Sequence, residues 1–173
     1  LTKEKRIDLA IRAFKKVANQ FPHAGLVISG EGEEKSSLQN LVKKLDLKNN
    51  VAFTGWQNDL VSYYKTANIF LLTSEYEGYG MTLIEAGASR CPIVTTKVGI
   101  AGTSIFVDGK NSFVCPVNEV ECISESILAL ISDNIRRETF GREMQENIKS
   151  VMVDREEYAS RYVIMLENLL MSR

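Results

Sequence analysis

Short apolar runs alternate with longer amphipathic segments along almost the whole chain, and this alternation constrains the fold more than any other feature. The runs have the length of strands and are apolar on both faces; they cover residues 26–28, 51–53, 69–72, 93–95 and 113–115. Strands of this kind are typical of parallel sheets that helices cover on both faces. The pattern therefore predicts an α/β fold built on one parallel sheet.

The segments between these runs have the periodicity of amphipathic helices. Apolar residues recur every three or four positions in residues 3–20 and again in residues 38–45. A third helix is predicted over residues 59–66, with Asn58 or Asp59 as its cap. Helices therefore alternate with the strands along the chain, as parallel connections require.

Residues 119–171 predict three more helices after the last strand. The first opens with Asn118 and Glu121 at the spacing of a capping pair, and the last begins at Asp154. No internal repeat, linker or low-complexity segment interrupts the chain. The sequence therefore predicts a single domain over residues 1–173.

Glycine-bearing turns follow the predicted strands. They are the turn with Gly30 and Gly32, the loop with Gly55, the stretch 73–98 and the glycine-rich loop 99–112. Ligands of parallel α/β sheets bind beyond the carboxyl ends of the strands. We expect these turns to line one crevice, with Gly30 and Gly55 among the ligand-binding residues.

The stretch 73–98 reads as a strand end, a turn and a short helix. Gly78 and Gly80 bracket Tyr79 where the turn must pass into the helix. The N–H groups of Gly80, Met81 and Thr82 would then point out of the helix N-terminus, where a phosphate binds well. Glycine at this place lets the backbone approach a ligand closely.

Two glutamates complete this stretch. Glu85 lies one helical turn beyond Met81 on the same face, where a carboxylate would repel a phosphate and accept hydrogen bonds from a pair of sugar hydroxyls. Glu77 lies in the turn and would face what lies beyond the phosphate. The charges therefore predict ribose at Glu85, a diphosphate at the helix N-terminus and a second hydroxylated group at Glu77.

This stretch resembles the donor-site motif of the retaining glycosyltransferases of family 4, the glycosyl transferases group 1 class. Their pattern S-x-x-E-G-[FY]-G-x-x-x-x-E-A is met here by Ser74, by Glu77 to Gly80 and by Glu85 with Ala86. The resemblance implies the C-terminal, Rossmann-like half of a GT-B fold. It also implies that Glu77 contacts the transferred sugar and Glu85 the ribose.

The opening LTKEKRIDLAIRAF resembles the family's G-R-L-x-x-x-K-G stretch. Lys5 falls at the family's diphosphate-binding lysine, so the resemblance makes Lys5 and Glu77 the candidate catalytic residues. The family's strand before this stretch, which is expected near the middle of the sheet, would lie upstream of Leu1. The chain departs from the family at four positions: Arg6, Arg90 and Ser112 where glycine is usual, and Ser104 where glutamate is common.

The resemblance implies transfer of a sugar, of the retaining hexosyltransferase type, from a nucleotide diphosphate sugar. The acceptor, a glycan or lipid, would bind an N-terminal domain absent from this chain, so the chain alone should be inactive. The donor is a substrate, and no cofactor is expected. Two alternatives share the fold: a nucleotide-binding module without catalysis and a sugar-nucleotide epimerase. A flavodoxin-like signalling domain is a third.

Composition excludes several other classes. The net charge of −1, from 21 basic and 22 acidic residues, gives no excess that would favour nucleic acid. No apolar run reaches the roughly 18 residues of a membrane span. We expect a cytoplasmic protein, or a peripheral one at the inner face of the membrane. There is no Asp-x-Asp, and His23 is the single histidine, so no metal site is expected.

Two further sets of residues carry structural expectations. The odd number of cysteines, with no C-x-x-C spacing, predicts reduced thiols at Cys91, Cys115 and Cys122. For Trp56, packing in the core or at its rim is favoured over stacking on a base. The last helix carries an apolar stripe that fits either the core or a seam for the N-terminal domain; it consists of Tyr158, Tyr162 and Met165.

Overall fold

The computed structural model describes residues 1–152 and 155–171. Asp154, predicted to begin the last helix, lies outside these ranges. The strands are β1 (Leu26–Ser29), β2 (Val51–Gly55), β3 (Phe70–Leu72), β4 (Ile93–Thr96) and β5 (Phe113–Cys115). The α-helices are α1 (Ile7–Gln20), α2 (Lys35–Lys44), α3 (Leu60–Thr66), α4 (Met81–Ala88), α5 (Val120–Ser132), α6 (Asn134–Val151) and α7 (Arg155–Met171). Two short 3₁₀ turns cover Lys3–Lys5 and Gly99–Gly102.

All strand pairs are parallel, as the sequence predicts, but they form two sheets. One holds β1 and β2, and the other holds β3, β4 and β5 in that order. Within the described residues β1 and β3 exchange no backbone hydrogen bonds, so the predicted parallel sheet is divided between these two strands. The α/β class itself is confirmed.

The two sheets differ in how completely they are covered. Every residue of β4 is buried. In the smaller sheet Val27 is 52% exposed, and its register partner Ala52 is exposed as well. Because partners in register point to the same side, one face of the β1–β2 sheet is open. The expectation of burial on both faces is therefore wrong for this sheet.

Helix starts are decided by local backbone geometry. The helix predicted over residues 3–20 is broken at Arg6, which has a left-handed backbone with φ 47° and separates the first 3₁₀ turn from α1. Asp59 caps α3, as predicted, by accepting a hydrogen bond from Ser62 N at 3.0 Å. Asn118 does not cap α5: its backbone is left-handed, with φ 69°, and it receives a hydrogen bond from Arg6 instead.

Two apolar clusters fix the helices on the sheets. The first joins α1, α2 and α5 around fully buried side chains such as Ile11, Val17 and Ile123. The second packs α4 and α6 on the larger sheet through Leu83 and Ile93. Burying one such side chain fully contributes roughly 1.5–3 kcal/mol. The second cluster therefore fixes the helix of the glutamate motif firmly against β4.

The prediction of three reduced thiols is wrong for two of them. Cys115 ends β5 and Cys122 lies in the first turn of α5, and the two form a disulfide with a Cα–Cα distance of 5.7 Å. The strand-to-helix turn between them brings the pair within bonding reach, which spacing alone does not reveal. Cys91 is free and buried, as expected, and burial raises its pKa to about 12.

Two packing expectations also fail. Trp56 is 76% exposed, because it lies beyond the end of β2 and only its indole N–H is bonded, to Asn58. Tyr158, Tyr162 and Met165 are exposed, as is every side chain of α7 whose burial is described. They are therefore not a core stripe, and the seam remains a prediction. No helix in the described ranges combines the length and apolarity needed to cross a membrane.

Candidate functional site

The turn before α4 has the backbone that the glycine pattern predicts. Gly80 is the residue before the helix and has φ 92°, a conformation that favours glycine. A Cβ atom on Gly80 would lie 3.1 Å from Leu83 Cδ1, whereas one on Gly78 would meet no atom within 4 Å. The N–H groups of Met81 and Thr82 begin α4 and have no partner inside the helix, whereas Leu83 N donates to Gly80 O at 2.9 Å. The turn is therefore open on the side where a phosphate would bind.

The loop after β4, with Gly99 and Ile100, packs against this turn. Ile100 N donates a hydrogen bond to Tyr79 O at 2.8 Å. Gly99 has φ 52°, and a Cβ atom there would lie 2.5 Å from Tyr79 O and 3.1 Å from Glu77 Cβ. Only glycine fits this contact. The glycine-rich loop thus packs against the turn before α4, which carries Glu77 and Tyr79, and supports it. The sequence pattern alone does not indicate this role.

Lys5 and Glu77, the two candidate catalytic residues, are in contact. Lys5 Nζ lies 2.8 Å from Glu77 Oε1, and Ser74 Oγ donates to the same oxygen at 2.6 Å. The Lys5 side chain is 47% exposed and that of Glu77 only 12%. Within the described residues Glu77 Oε2 has no hydrogen bond. The pair therefore offers one cation and one unused carboxylate oxygen.

Buried hydroxyl groups hold the backbone on both sides of this pair. Thr73 Oγ1 donates to the carbonyl oxygens of Lys5 at 3.0 Å and of Arg6 at 2.9 Å. Thr96 Oγ1 donates to Ser74 O at 2.6 Å. Thr73, Thr96 and Ser74 are all buried. No sequence pattern pointed to Thr73 or Thr96; the signal that could have found them is a polar side chain at the end of an apolar strand.

The positions where glycine is usual in the family fall into two kinds. Arg6 and Arg90 both have left-handed backbones, with φ 47° and 62°, so the geometry that favours glycine is kept in spite of the substitution. Arg6 is held by its ion pair with Asp8 at 3.1 Å. Ser112 has no positive φ and is buried. Ser104, at the glutamate position, is exposed.

Glu85 lies on the exposed face of α4 together with Met81, as the helical spacing predicts. Its carboxylate has one partner in the described structure: the Tyr64 hydroxyl, 3.2 Å from Oε2. Burial and the nearby charge of Glu85 raise the pKa of Tyr64. This hydroxyl is therefore a donor at any physiological pH. Thr82, by contrast, is half-buried beside the helix start.

The turns after β1 and β2 join the site through the start of the chain. Gly30 N donates to Gly55 O at 2.7 Å, and both glycines have positive φ. The N-terminus of Leu1 donates to Glu31 O. The segment from Leu1 to Lys5 thus runs from the Gly30 turn to Glu77. It connects the smaller sheet to the turn before α4, and the crevice stays a prediction.

A separate cleft of about 600 Å³ opens between the starts of α1 and α2. Its lining includes Arg6, Arg12 and Glu34, but none of Lys5, Glu77 or Glu85. In residues 1–152 and 155–171, no three His, Cys, Asp or Glu side chains are grouped so that they could hold a metal ion. Metal independence stays a prediction.

Comparison with known proteins agrees with the fold and the motif. The profile of the family "Glycosyl transferases group 1" matches residues 1–159. A poly(glycerol-phosphate) alpha-glucosyltransferase from Bacillus subtilis is 29% identical over 143 residues, which are 83% of this chain and 21% of that protein. This chain therefore spans only part of that relative's length.

Two solved structures have the same architecture. A mutant of S. aureus TarM, in complex with fondaparinux, alpha-GlcNAc-glycerol and UDP, superposes with a TM-score of 0.87 at 25% identity, over 94% of this chain and 33% of that one. The C-terminal domain of the glycosyl transferase group 1 protein LpcC from Francisella tularensis gives a TM-score of 0.80 at 26% identity, over 87% and 81%. The chain therefore belongs to the glycosyl transferases group 1 family and has the fold of a GT-B C-terminal domain.

Proposed function

We propose that this chain is the donor-binding half of a retaining glycosyltransferase, which transfers a sugar from a nucleotide diphosphate sugar to an acceptor. The observation that carries the proposal is the contact between Lys5 and Glu77 at 2.8 Å beside the open glycine turn of α4. The pair places a mobile cation and a fixed carboxylate at one helix N-terminus. A sugar diphosphate needs both kinds of group.

The charges assign a part of the donor to each group. The diphosphate lies at the N–H groups of Gly80, Met81 and Thr82, where the helix dipole favours an anion. Lys5, with an exposed and flexible stem, turns from Glu77 to the phosphate. Glu77 Oε2 accepts a hydroxyl of the transferred sugar. Glu85 accepts the ribose hydroxyls.

The chemical difficulty of the reaction is the leaving group. The bond from the anomeric carbon to the β-phosphate oxygen breaks, and the electron pair stays on that oxygen. The acceptor oxygen forms the new bond to the carbon, and its proton passes to the departing β-phosphate oxygen. The N–H groups stabilise the developing phosphate charge because the helix start holds them in place beforehand. Lys5 adds its charge once it has turned from Glu77 to the phosphate. These groups supply the stabilisation without a metal.

Further parts of the proposal concern the longer protein. The acceptor, a glycan or a lipid, binds a domain that precedes this chain, so this chain alone turns over no donor. The protein is cytoplasmic, or peripheral at the inner face of the membrane. The UDP in the TarM structure makes UDP the first nucleotide to test, with GDP, ADP and dTDP beside it.

The test compares nucleotide binding and turnover in the full-length protein. A nucleotide at about 100 times its Kd should add roughly 2.7 kcal/mol to the free energy of unfolding, which a thermal melt detects. Glu77→Gln should retain nucleotide binding and lose turnover on the order of 100-fold, because the amide no longer orients the sugar. Glu75→Gln, two residues earlier and exposed, is the matched control.

Each result has a distinct meaning. No shift with any of the four nucleotides would refute the donor site. Binding in the wild type without any turnover would favour a nucleotide-binding module over a transferase. Turnover unaffected by Glu77→Gln would refute the role of Glu77 at the transferred sugar. A product with inverted anomeric configuration would refute the retaining mechanism.

A further inference from the structure

We propose that the hydroxyl of Tyr64 is a positioning group for the Glu85 carboxylate, and that it sets the preference of this site for ribonucleotides over 2′-deoxyribonucleotides. The inference rests on the proposed function, in which Glu85 accepts the ribose hydroxyls. Tyr64 touches no donor atom in this arrangement and acts through Glu85 alone. Neither the residue type of Tyr64 nor its position on α3, outside the glutamate motif, indicates this positioning role.

The first argument is the rigidity of the tyrosine. Tyr64 is 5% exposed, and its ring packs edge-on against Phe70 with the centroids 5.4 Å apart. Phe70 is the first residue of β3, the strand that leads into the donor turn. The hydroxyl therefore emerges from the core at a fixed place, and it reaches Glu85 Oε2 at 3.2 Å.

The second argument is the freedom of the glutamate. Glu85 is exposed on α4, and its carboxylate makes no other hydrogen bond within the described structure. A carboxylate offers about four acceptor positions on its two oxygens. Tyr64 occupies one and leaves Oε1 unused. Two neighbouring ribose hydroxyls can therefore be accepted while the tyrosine bond persists.

The consequence is preorganisation of the ribose contact. With Tyr64 in place, the Glu85 side chain is held in one orientation before the nucleotide arrives, so less conformational freedom is lost on binding. Without the hydroxyl, Glu85 samples several rotamers, and a hydroxyl at the ribose 2′ position gains less from it. Both the affinity and the discrimination at this position should fall.

The experiment measures the Kd of UDP and of 2′-deoxy-UDP by calorimetry on the full-length protein. The variants are Tyr64→Phe, Glu85→Ala and the double variant. Tyr64→Phe should weaken UDP roughly 2- to 10-fold, the worth of one hydrogen bond, and 2′-deoxy-UDP clearly less. In the Glu85→Ala background, Tyr64→Phe should have no further effect.

Tyr63→Phe is the matched control. Tyr63 is the preceding residue of the same helix, and its hydroxyl has no hydrogen bond to any described residue. This variant should leave both Kd values unchanged. A thermal melt of each variant separates a general loss of stability from a local effect.

Two outcomes would overturn the inference while leaving the proposed function intact. One is an equal loss of affinity for UDP and 2′-deoxy-UDP in Tyr64→Phe. The other is an undiminished effect of Tyr64→Phe when Glu85 is alanine. If the wild type does not bind UDP, the same pairs of ADP and GDP are used. Binding of dTDP alone would overturn the inference and leave the donor site intact. Failure of all four nucleotides would refute the proposed function and the inference with it.

Discussion

The two glutamates of the donor motif are held in opposite ways. Glu77 is nearly buried and receives Lys5 and Ser74 on one oxygen, and buried hydroxyls hold the backbone on either side. Glu85 is exposed and receives a single bond from Tyr64. The end proposed for the transferred sugar is therefore held by several hydrogen bonds, and the end proposed for the ribose by one.

The difference between Glu77 and Glu85 shows where the fold restricts side-chain motion. The Glu77 carboxylate receives two donors, so one bond remains when the other is lost. A single bond from the core to an exposed carboxylate gives orientation without burial. The end proposed for the reacting sugar is thus the more tightly built, in line with the need for precise placement at the reacting carbon.

The largest effect is expected from Gly99→Ala, because Gly99 packs against the turn that carries Glu77. The new Cβ atom would lie 2.5 Å from Tyr79 O in a backbone of positive φ. The free energy of unfolding should fall on the order of 3 kcal/mol, and nucleotide binding should weaken because the turn moves. Denaturant unfolding and calorimetry measure the two quantities.

Gly102→Ala is the control for this prediction. A Cβ atom on Gly102 meets no atom within 4 Å, and its φ is not positive. Its free energy of unfolding should change by less than about 0.5 kcal/mol. Equal effects of the two substitutions would show that the contact between Gly99 and Tyr79 does not support the turn.

A smaller effect is expected from Ser74→Ala, which removes one bond of the network. Glu77 would lose its hydrogen bond of 2.6 Å and keep Lys5. The free energy of unfolding should fall by about 1–2 kcal/mol, since the lost bond involves a charged group. Ser104→Ala, at an exposed serine, should be nearly neutral in the same unfolding measurement. A neutral Ser74→Ala would contradict the network.

The smallest effect is expected in how the free energy of unfolding depends on pH, through Asp59 at the start of α3. Asp59 caps α3, the helix that carries Tyr64, and hydrogen bonds from the Ser62 hydroxyl and N–H lower its pKa below 3.8. A folded-state pKa that is lowered gives stability above the unfolded pKa, and this stability is lost as the pH falls through the folded value. The wild type should therefore lose stability below about pH 4.

Asp59→Asn isolates this contribution, because asparagine also caps helices but does not ionise. Unfolding in urea at about pH 6 and about pH 3 should show the wild type losing more stability than the variant. A difference between the two proteins that stays constant over this range would show that the Asp59 carboxylate does not contribute through its ionisation.

Much of the fold was predictable because its signals are local. Periodicity located all five strands within two residues at either end, and Asp59 was one of the two candidates for the cap of α3. The inward face of α1 followed from the spacing of its apolar side chains. The break at Arg6 was missed, because arginine gives no sign of a left-handed backbone. The disulfide was missed because it depends on how a turn folds back.

The sequence by itself determined the class of fold, the family and the residue types at the site. These depend on patterns of polarity, and on glycines and carboxylates whose roles follow from their own chemistry. Three contacts follow from the tertiary structure alone. Lys5 bonds Glu77 across 72 positions of chain. Thr73 and Thr96 hold the backbone beside this pair, and Tyr64 donates to Glu85. Such contacts depend on how separate elements pack, and no local pattern encodes that packing.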